Sequence, residues 1–308
     1  MQNFANVLLP WNIKLFWKSY SFSSAGCLFC LPLIIAVLLT LSVPANASIE
    51  AQDCSSALAQ PLDVSPAGLA SKLKILIWNI EKTENSGWDS DLRTLGAQSD
   101  LILIQEASVQ AMIATALPQH LFRAYAIGYI NSKMQTGVLT LSTVEPSLQC
   151  KLTAWEPWLG TPKATNITEY PLDGLDHRLL VINLHAINFS FGLVDFESQV
   201  KALEPLLTRH TGPLIVAGDF NTWSDGRSKS VHNFMASHQL APVAFEPDLR
   251  TVFWNSPLDH VYLRGLDLVE ASTIEVESSD HNPLSITVEI PTCVNCTAQL
   301  QEPYCTAC

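Results

Sequence analysis

Short apolar runs recur along the chain from residue 72 onward, and polar segments or stretches of helical spacing separate them. The runs are four to seven residues long and rich in Ile, Val and Leu, which is typical of strands buried on both faces. They predict seven strands, over residues 73–78, 101–104, 137–141, 179–184, 214–217, 258–263 and 284–290.

Helical patterns lie between these runs. Asp89 or Ser90 is placed to cap a helix that runs to about residue 98, and the Ala-rich stretch 108–117 predicts another that stops at a proline. Apolar residues at three- and four-residue steps predict an amphipathic helix over 193–207, which Pro205 should kink or end early. A further helix is expected around residues 231–238. The mixture of strands and helices indicates one α/β domain over residues 72–291.

The first 47 residues differ from the rest. They hold two lysines and no acidic residue, and an apolar run over 27–43 precedes Ala45 and Ala47. Small residues in this spacing are typical of a signal-peptide cleavage site. We interpret the segment as a signal peptide or a membrane anchor, with a buried helix as the remaining alternative. We therefore expect an exported protein, periplasmic or secreted, or one associated with the membrane through residues 1–47.

Residues 48–71 have no hydrophobic period and are interpreted as a linker. Six cysteines follow the N-terminal segment. Four form two CxxC pairs in a Cys-rich tail over 292–308, and the others are Cys54 and Cys150. Disulfides persist outside the cytoplasm, so a disulfide-linked tail is one interpretation, and a zinc site or a redox motif are the alternatives. A Cys54–Cys150 pair is one connectivity among several, because sequence does not fix the pairing.

Charge narrows the function classes. The 308 residues include 17 basic and 29 acidic side chains, a formal net charge of −12. Without the N-terminal segment and its two lysines the net charge is −14. The high apolar content excludes a disordered chain, and the acidity disfavours a protein that coats DNA through a basic surface.

Polar side chains stand where the predicted strands begin or end. Any one of them fits an ordinary turn or a buried histidine. Together they favour a common rim, because sites in α/β folds are built from strand termini. The residues concerned are Asn79, Gln105, Glu106, His185, Asp219, Asn221, Asp259, Asp280 and His281.

Three of these residues suggest a metal centre. Glu106 and Asp280 offer hard carboxylate oxygens and Asn79 offers a carbonyl oxygen. Such ligands suit Mg²⁺ or Mn²⁺ bound together with a phosphate.

Four others suggest acid–base chemistry. Asp259 and His281 form a candidate carboxylate–imidazole pair. Asp219 is placed to position or deprotonate a water, and Asn221 to hold a phosphoryl oxygen. The whole set indicates metal-assisted hydrolysis of a phosphodiester.

Five motifs in order resemble the endonuclease/exonuclease/phosphatase superfamily, with the deoxyribonuclease-I-like fold. They are WNI at 78–80, QE at 105–106, GDFN at 218–221, LDHVYLRG at 258–265 and SDHNP at 279–283. The longer matches WNIEK, LHAINF, GDFNTW and SPLDHVYLRGL are similar to its YafD-like bacterial branch.

The resemblance implies a four-layer α/β sandwich in which helices flank two mixed β-sheets. It places Glu106, Asn79 and Asp280 at the metal side, with Asn79, Asn221 and His185 at the phosphate. The residues it implies for catalysis are His185, Asp219, Asn221, Asp259 and His281. Arg227 and Lys133 are candidate phosphate contacts, with solvated surface charge as the alternative.

Together these observations predict a monomeric, Mg²⁺- or Mn²⁺-dependent phosphodiesterase or nuclease outside the cytoplasm, acting on a phosphate ester such as nucleic acid or phospholipid. One alternative is a lipid-directed enzyme, sphingomyelinase-like or phosphoinositide-phosphatase-like. It is favoured if Trp155, Trp158 and Phe189 are exposed, since an acidic protein does not repel a zwitterionic head group. The other is a non-catalytic binding protein on the same fold.

Overall fold

Two six-stranded β-sheets form the middle of the protein in the computed structural model, which describes residues 53–58, 67–117 and 121–291. The strands are β1 Lys72–Asn79, β2 Leu101–Ser108, β3 Phe122–Ile130, β4 Gln135–Ser142, β5 Leu148–Trp155, β6 Pro162–Leu172, β7 Leu175–His185, β8 Leu214–Asp219, β9 Ala241–Pro242, β10 Val252–Phe253, β11 Ser256–Pro257, β12 Asp259–Arg264, β13 Asp267–Thr273 and β14 Leu284–Glu289.

Both sheets are mixed. The first has the order β13-β14-β1-β2-β4-β3, and its β1 and β2 run parallel. The second has the order β5-β6-β7-β8-β12-β9, with β7 and β8 parallel. The short strands β10 and β11 form a separate antiparallel pair.

Helices cover the outer faces of the two sheets. They are α1 Trp88–Gly96, α2 Val194–Lys201, α3 Glu204–Arg209 and α4 Asp225–Ser237. Two 3₁₀ turns, Glu81–Thr83 and Ile113–Ala116, follow β1 and β2. The helix α1 lies on the first sheet, while α2, α3 and α4 lie on the second. The expected four-layer α/β sandwich is therefore confirmed.

The central strands read as continuous apolar runs because both of their faces are buried. In β1, Ile75 and Ile77 enter the core between the sheets, whereas Leu76 and Trp78 enter the core beneath α1. Successive side chains of a strand point to opposite faces, so both sets are removed from water. Burial of each such side chain contributes roughly 1.5–3 kcal/mol.

All seven predicted strands are present, although most are longer than predicted. The sequence patterns missed the other seven: β3, β5, β6, β13 and the two-residue strands β9, β10 and β11. Four of these, β3, β5, β9 and β13, lie on sheet edges, where strands can carry polar residues that face solvent.

Three helix predictions needed correction. The predicted helix over 108–117 is wrong: Ser108 ends β2, and only the short 3₁₀ turn Ile113–Ala116 follows. The predicted 193–207 helix is two helices, α2 and α3, so the expected interruption near Pro205 is confirmed. The first helix begins at Trp88 after Gly87, whose left-handed φ of 95° suits a glycine, rather than after Asp89 or Ser90.

Parts of the segment interpreted as a linker pack on the domain. Leu58 and Leu69 are buried in its cores, and Leu69 bridges to Leu172. The sulfur atoms of Cys54 and Cys150 are joined, which ties residue 54 to β5 across 96 positions. The N-terminal segment and the Cys-rich tail lie outside the described residues. Within the described ranges, no helix is long and apolar enough to cross a membrane.

Candidate active site

The two sheets bring the predicted polar residues together at one rim. In the first sheet Asn79 is the register partner of Gln105, and in the second His185 and Asp259 are both register partners of Asp219. The Asn79 Nδ2 atom donates to Asp219 Oδ2 at 3.0 Å and so joins the two sheets.

Glu106 is directed into the site by a bulge in β2. The register of β2 and β4 shifts between Ile104 and Ala107, and Glu106 has a left-handed φ of 52°. Gln105 anchors the bulge, because its side-chain nitrogen donates to Asn183 Oδ1 at 2.6 Å. A bulge re-aims side chains in this way near functional sites.

Gly218 is required by close packing before Asp219. Its φ is 134°, and a Cβ at this position would lie 2.1 Å from the Leu184 carbonyl oxygen. A larger residue would therefore move β8 away from β7, and Asp219 with it. This is the physical reason for the glycine of the GDFN motif.

Asp219 is buried at the centre of the site. Its carboxylate accepts from the backbone nitrogen of Asn221 at 2.9 Å and from Asn79. Burial raises the pKa of Asp219 above its ordinary value, against the attraction of His281 and His185. A raised pKa makes a carboxylate a better proton acceptor.

His281 and Asp259 form the predicted pair. The His281 Nδ1 atom donates to Asp259 Oδ2 at 2.7 Å. Burial alone would lower the pKa of His281, but the Asp259 carboxylate outweighs it and raises the pKa to about 10. The backbone is held as well, because Trp78 Nε1 donates to the His281 carbonyl oxygen at 2.9 Å. At neutral pH this imidazole is therefore a cation able to donate protons.

The pKa of His185 is shifted in the opposite direction to that of His281. Burial, followed by the charge of Lys163, lowers its pKa to about 4. Lys163 Nζ lies 2.9 Å from His185 Nε2, and since an ammonium group only donates, Nε2 accepts. Asp219 Oδ2 and Glu106 Oε1 lie 3.5 and 3.7 Å from the same nitrogen.

Two lysines that the sequence analysis did not select neutralise Glu106. Lys82 Nζ lies 2.6 Å from Oε2, and Lys163 Nζ lies 3.7 Å from Oε1. Burial would raise the pKa of Glu106, but His185, Lys163 and Lys82 together lower it to about 2. The carboxylate is therefore ionised at any physiological pH.

The sequence carried a weak signal for one of these lysines. Lys82 lies two residues after the WNI motif, in a 3₁₀ turn whose three residues all have positive φ. Lys163 lies in β6, a strand that the apolar pattern did not reveal, so nothing local marked it.

A cleft of about 390 Å³ opens onto these groups. Lys82, Glu106, Lys163 and His185 line it, together with Glu156. The cleft thus presents two ammonium groups beside an ionised carboxylate, which suits a phosphate bound with a cation.

A metal ion could be held at two places, one at the Glu106 carboxylate and the other at a group of three residues. Glu106 offers an ionised carboxylate facing the cleft, which fits a hard cation that keeps waters and takes up phosphate oxygens. The group of three is Asp219, Asp259 and His281, whose ligand atoms lie within 4.8 Å of one another. A metal there would have to displace the proton that His281 Nδ1 shares with Asp259, so Glu106 fits better.

Of the other predicted residues, Asp280 and Lys133 lie outside this arrangement, and Asn79 is engaged in hydrogen bonds within it. Asp280 is exposed, and its backbone nitrogen donates to Glu81 Oε2 at 3.0 Å. Asn79 Oδ1 already accepts from the Glu81 nitrogen at 3.1 Å. Lys133 is exposed in the turn between β3 and β4 and does not line the cleft.

The expectation that Arg227 contacts phosphate is wrong. The side chain is fully buried and donates to the carbonyl oxygens of Ile187, Asn188 and Asn221. It is also packed against the ring of Trp223, 4.4 Å from the ring centroid. Arg227 therefore holds loops in place and does not reach a ligand.

Comparisons with known proteins agree with this architecture. Residues 76–281 match the endonuclease/exonuclease/phosphatase family. A UPF0294 protein of Vibrio vulnificus (strain YJ016) is 40% identical over 224 residues, which cover 72% of this chain and 78% of that protein.

Solved structures share the fold. The catalytic domain of human Nocturnin has a TM-score of 0.54 at 15% identity, covering 73% of this chain and 97% of that domain. A mannosyl-6-phosphatase of Bacteroides thetaiotaomicron has a TM-score of 0.52 at 16% identity, covering 70% and 99%.

The paired sheets and the polar rim define the phosphoesterase class of α/β sandwich. The chain belongs to the endonuclease/exonuclease/phosphatase family, and its curated relatives are UPF0294, YafD-like proteins.

Proposed function

We propose that this protein is a divalent-metal-dependent phosphodiesterase. The observation that carries the proposal is the His281–Asp259 pair, which lies beside buried Asp219 in the same site as ionised Glu106. These groups supply a proton donor, a proton acceptor and a cation ligand at one strand-end rim.

Each residue has a distinct task in this proposal. Asp219, fixed by Asn79 and Asn221, accepts a proton from the attacking water as the new bond from oxygen to phosphorus forms. The bond from phosphorus to one alcohol oxygen breaks, and His281 gives that oxygen its proton. The products are a phosphomonoester and an alcohol.

Glu106 is the residue proposed to hold Mg²⁺ or Mn²⁺. The bound cation would neutralise charge on the phosphoryl oxygens. Lys163 and Lys82 face the same cleft and orient the phosphate by charge. Neutral His185 accepts from Lys163 and keeps that ammonium group in position.

The test is hydrolysis of model diesters and oligonucleotides by the purified full chain with Mg²⁺ or Mn²⁺. Glu106→Gln and Asp219→Asn should each lower turnover by about 10²–10⁴-fold. Glu270→Gln and Asp267→Asn are the matched controls, because both residues are exposed on β13. If the unaltered chain cleaves no phosphodiester with either ion, the proposal is wrong.

We further propose that the protein works outside the cytoplasm. The apolar segment 27–43 and the joined Cys54 and Cys150 both support this, since disulfides form mainly in oxidising compartments. Fusion of the N-terminal segment to a reporter that is active only after export tests the location. Accumulation of the fusion in the cytoplasm would contradict it.

A further inference from the structure

A second cavity, of about 770 Å³, adjoins the catalytic cleft and is walled by aromatic side chains. We call it the aromatic groove. The residues that line it include no lysine, arginine, aspartate or glutamate. Its aromatic residues are Trp158, Phe189, Phe191, Trp223, Phe253 and Trp254.

The rings of the aromatic groove face solvent to an unusual extent. Trp158, Phe191 and Trp254 are 65%, 75% and 76% exposed. A contiguous exposed apolar surface of this kind marks an interaction site on a soluble domain. Trp158 and Phe189 had been singled out from the sequence, and both are exposed.

The aromatic groove is continuous with the catalytic cleft. Leu159, Asn188 and Phe189 line both cavities. Asn221, which holds Asp219, also lines the groove. The groove is therefore open to a substituent of a ligand whose phosphate lies beside Glu106.

Buried charged groups hold the loops that form this wall. Glu156 Oε1 accepts from the backbone nitrogens of Asn188 and Phe189, at 2.8 and 3.4 Å. Arg227 packs against Trp223 and donates to Ser190 Oγ at 2.8 Å. The loop of residues 188–190 is thus fixed from two sides.

The exposed rings also support one another. Trp158 and Phe191 meet edge to face at 4.5 Å between centroids, and Trp223 and Trp254 do so at 6.2 Å. Such pairs stabilise a fixed arrangement of rings. The groove is therefore formed before any ligand binds.

We propose that the aromatic groove receives the acyl chains of a phosphodiester lipid whose phosphate lies in the catalytic cleft. This inference rests on the proposed phosphodiesterase function and names its substrate class. The occupant is a lipid because Trp is enriched at membrane–water interfaces, and Trp and Phe together form the surfaces that bury into the boundary between head groups and acyl chains. A nucleic acid strand would need basic groups along its backbone, and the lining offers none.

The test compares two choline phosphodiesters that differ only in acyl chains. Dihexanoylphosphatidylcholine, used below its micelle concentration, carries two chains, and glycerophosphocholine carries none. With the full chain and Mg²⁺ or Mn²⁺, kcat/KM should be at least tenfold higher for the acylated diester. Binding is measured separately by calorimetry without metal, in an Asp219→Asn background, and should show the same preference.

The double variant Trp158→Ser/Trp254→Ser should abolish the acyl preference in both measurements. Trp155→Ser is the matched control, because Trp155 is exposed at the end of β5 and lines neither cavity. It should retain the preference. Equal melting temperatures of all three proteins establish that folding is unchanged.

Equal values for the two diesters in calorimetry would overturn the inference, whether or not they are cleaved. A double variant that keeps the acyl preference would also overturn the inference. The same holds if the double variant loses affinity for a single-stranded oligothymidylate but keeps its affinity for the lipid. If diesters are cleaved but acyl chains add nothing, the inference alone fails. If nothing is cleaved but acyl-dependent binding persists in the calorimeter and the double variant removes it, the phosphodiesterase proposal fails and the assignment of the groove stands.

Discussion

Replacement of Asp259 by Asn tests what keeps His281 charged. The 2.7 Å contact with Asp259 is the main force that raises the pKa of His281 from 6.5 to about 10, against burial. This difference corresponds to roughly 5 kcal/mol in favour of the protonated ring. In Asp259→Asn, burial is opposed by the weaker attractions of Asp219 and Asp280, so the pKa of His281 should fall well below 10.

The assay is an NMR titration of the His281 ring between pH 5 and 11, together with turnover at pH 7.5. Turnover should fall by about 10²–10⁴-fold, because the ring loses both its orientation and its charge. Asp267→Asn, on the exposed strand β13, should change neither quantity. A His281 pKa that stays near 10 in Asp259→Asn would refute the reasoning.

The same pair predicts the alkaline limit of stability. Because the folded-state pKa of His281 is raised, its stabilising effect is complete below pH 6.5 and is lost as pH rises towards about 10. Urea unfolding of the unaltered chain should therefore show a falling free energy of unfolding over this range. The Asp259→Asn variant should lack most of that fall, and an equal fall in both proteins would contradict the assignment.

Three other predictions concern packing and acid stability. Gly218→Ala places a Cβ against the Leu184 carbonyl, so thermal denaturation should show a loss of roughly 2–4 kcal/mol, while Gly226→Ala, which has room in α4, should change stability little. Arg227→Met strands several buried acceptors and should cost roughly 3 kcal/mol in urea unfolding; unchanged stability with a raised KM would instead indicate phosphate contact. Because the pKa of Glu106 is lowered to about 2, its stabilising effect is present above pH 4.5 and lost as pH falls, and unfolding of Glu106→Gln between pH 2 and 5 should lack this loss.

The sequence predicted the central strands well because they are buried on both faces. The strand β8, for example, is buried throughout and begins with four apolar residues, so the sequence pattern alone indicates a buried strand. The apolar pattern did not predict β6, which is also buried but contains polar residues. Asn166 lies in β6 and donates across the sheets to the Ala124 carbonyl at 2.6 Å, a contact that no local pattern reveals.

Some of the site residues could also be predicted from the sequence, because they follow buried strands. A carboxylate or an imidazole that follows a buried strand stands out, which is how Glu106, Asp219 and His281 were found. The prediction for Arg227 was wrong, because its position soon after the GDFN motif does not show whether its side chain points outward or supports a loop. Lys163 was missed because its strand was missed.

The sequence by itself therefore determined the α/β class, the positions of the central strands along the chain and the polar residues at their ends, since each depends on burial or turn chemistry within a few residues. Only the tertiary structure decided which charged residues contact one another. Asp259 and His281 are 22 positions apart in the chain, yet the 2.7 Å contact between them raises the pKa of His281 to about 10. The aromatic groove depended on tertiary structure in the same way, because its rings come from segments that are far apart in the chain, around residues 158, 190, 223 and 254, and meet only in the folded protein.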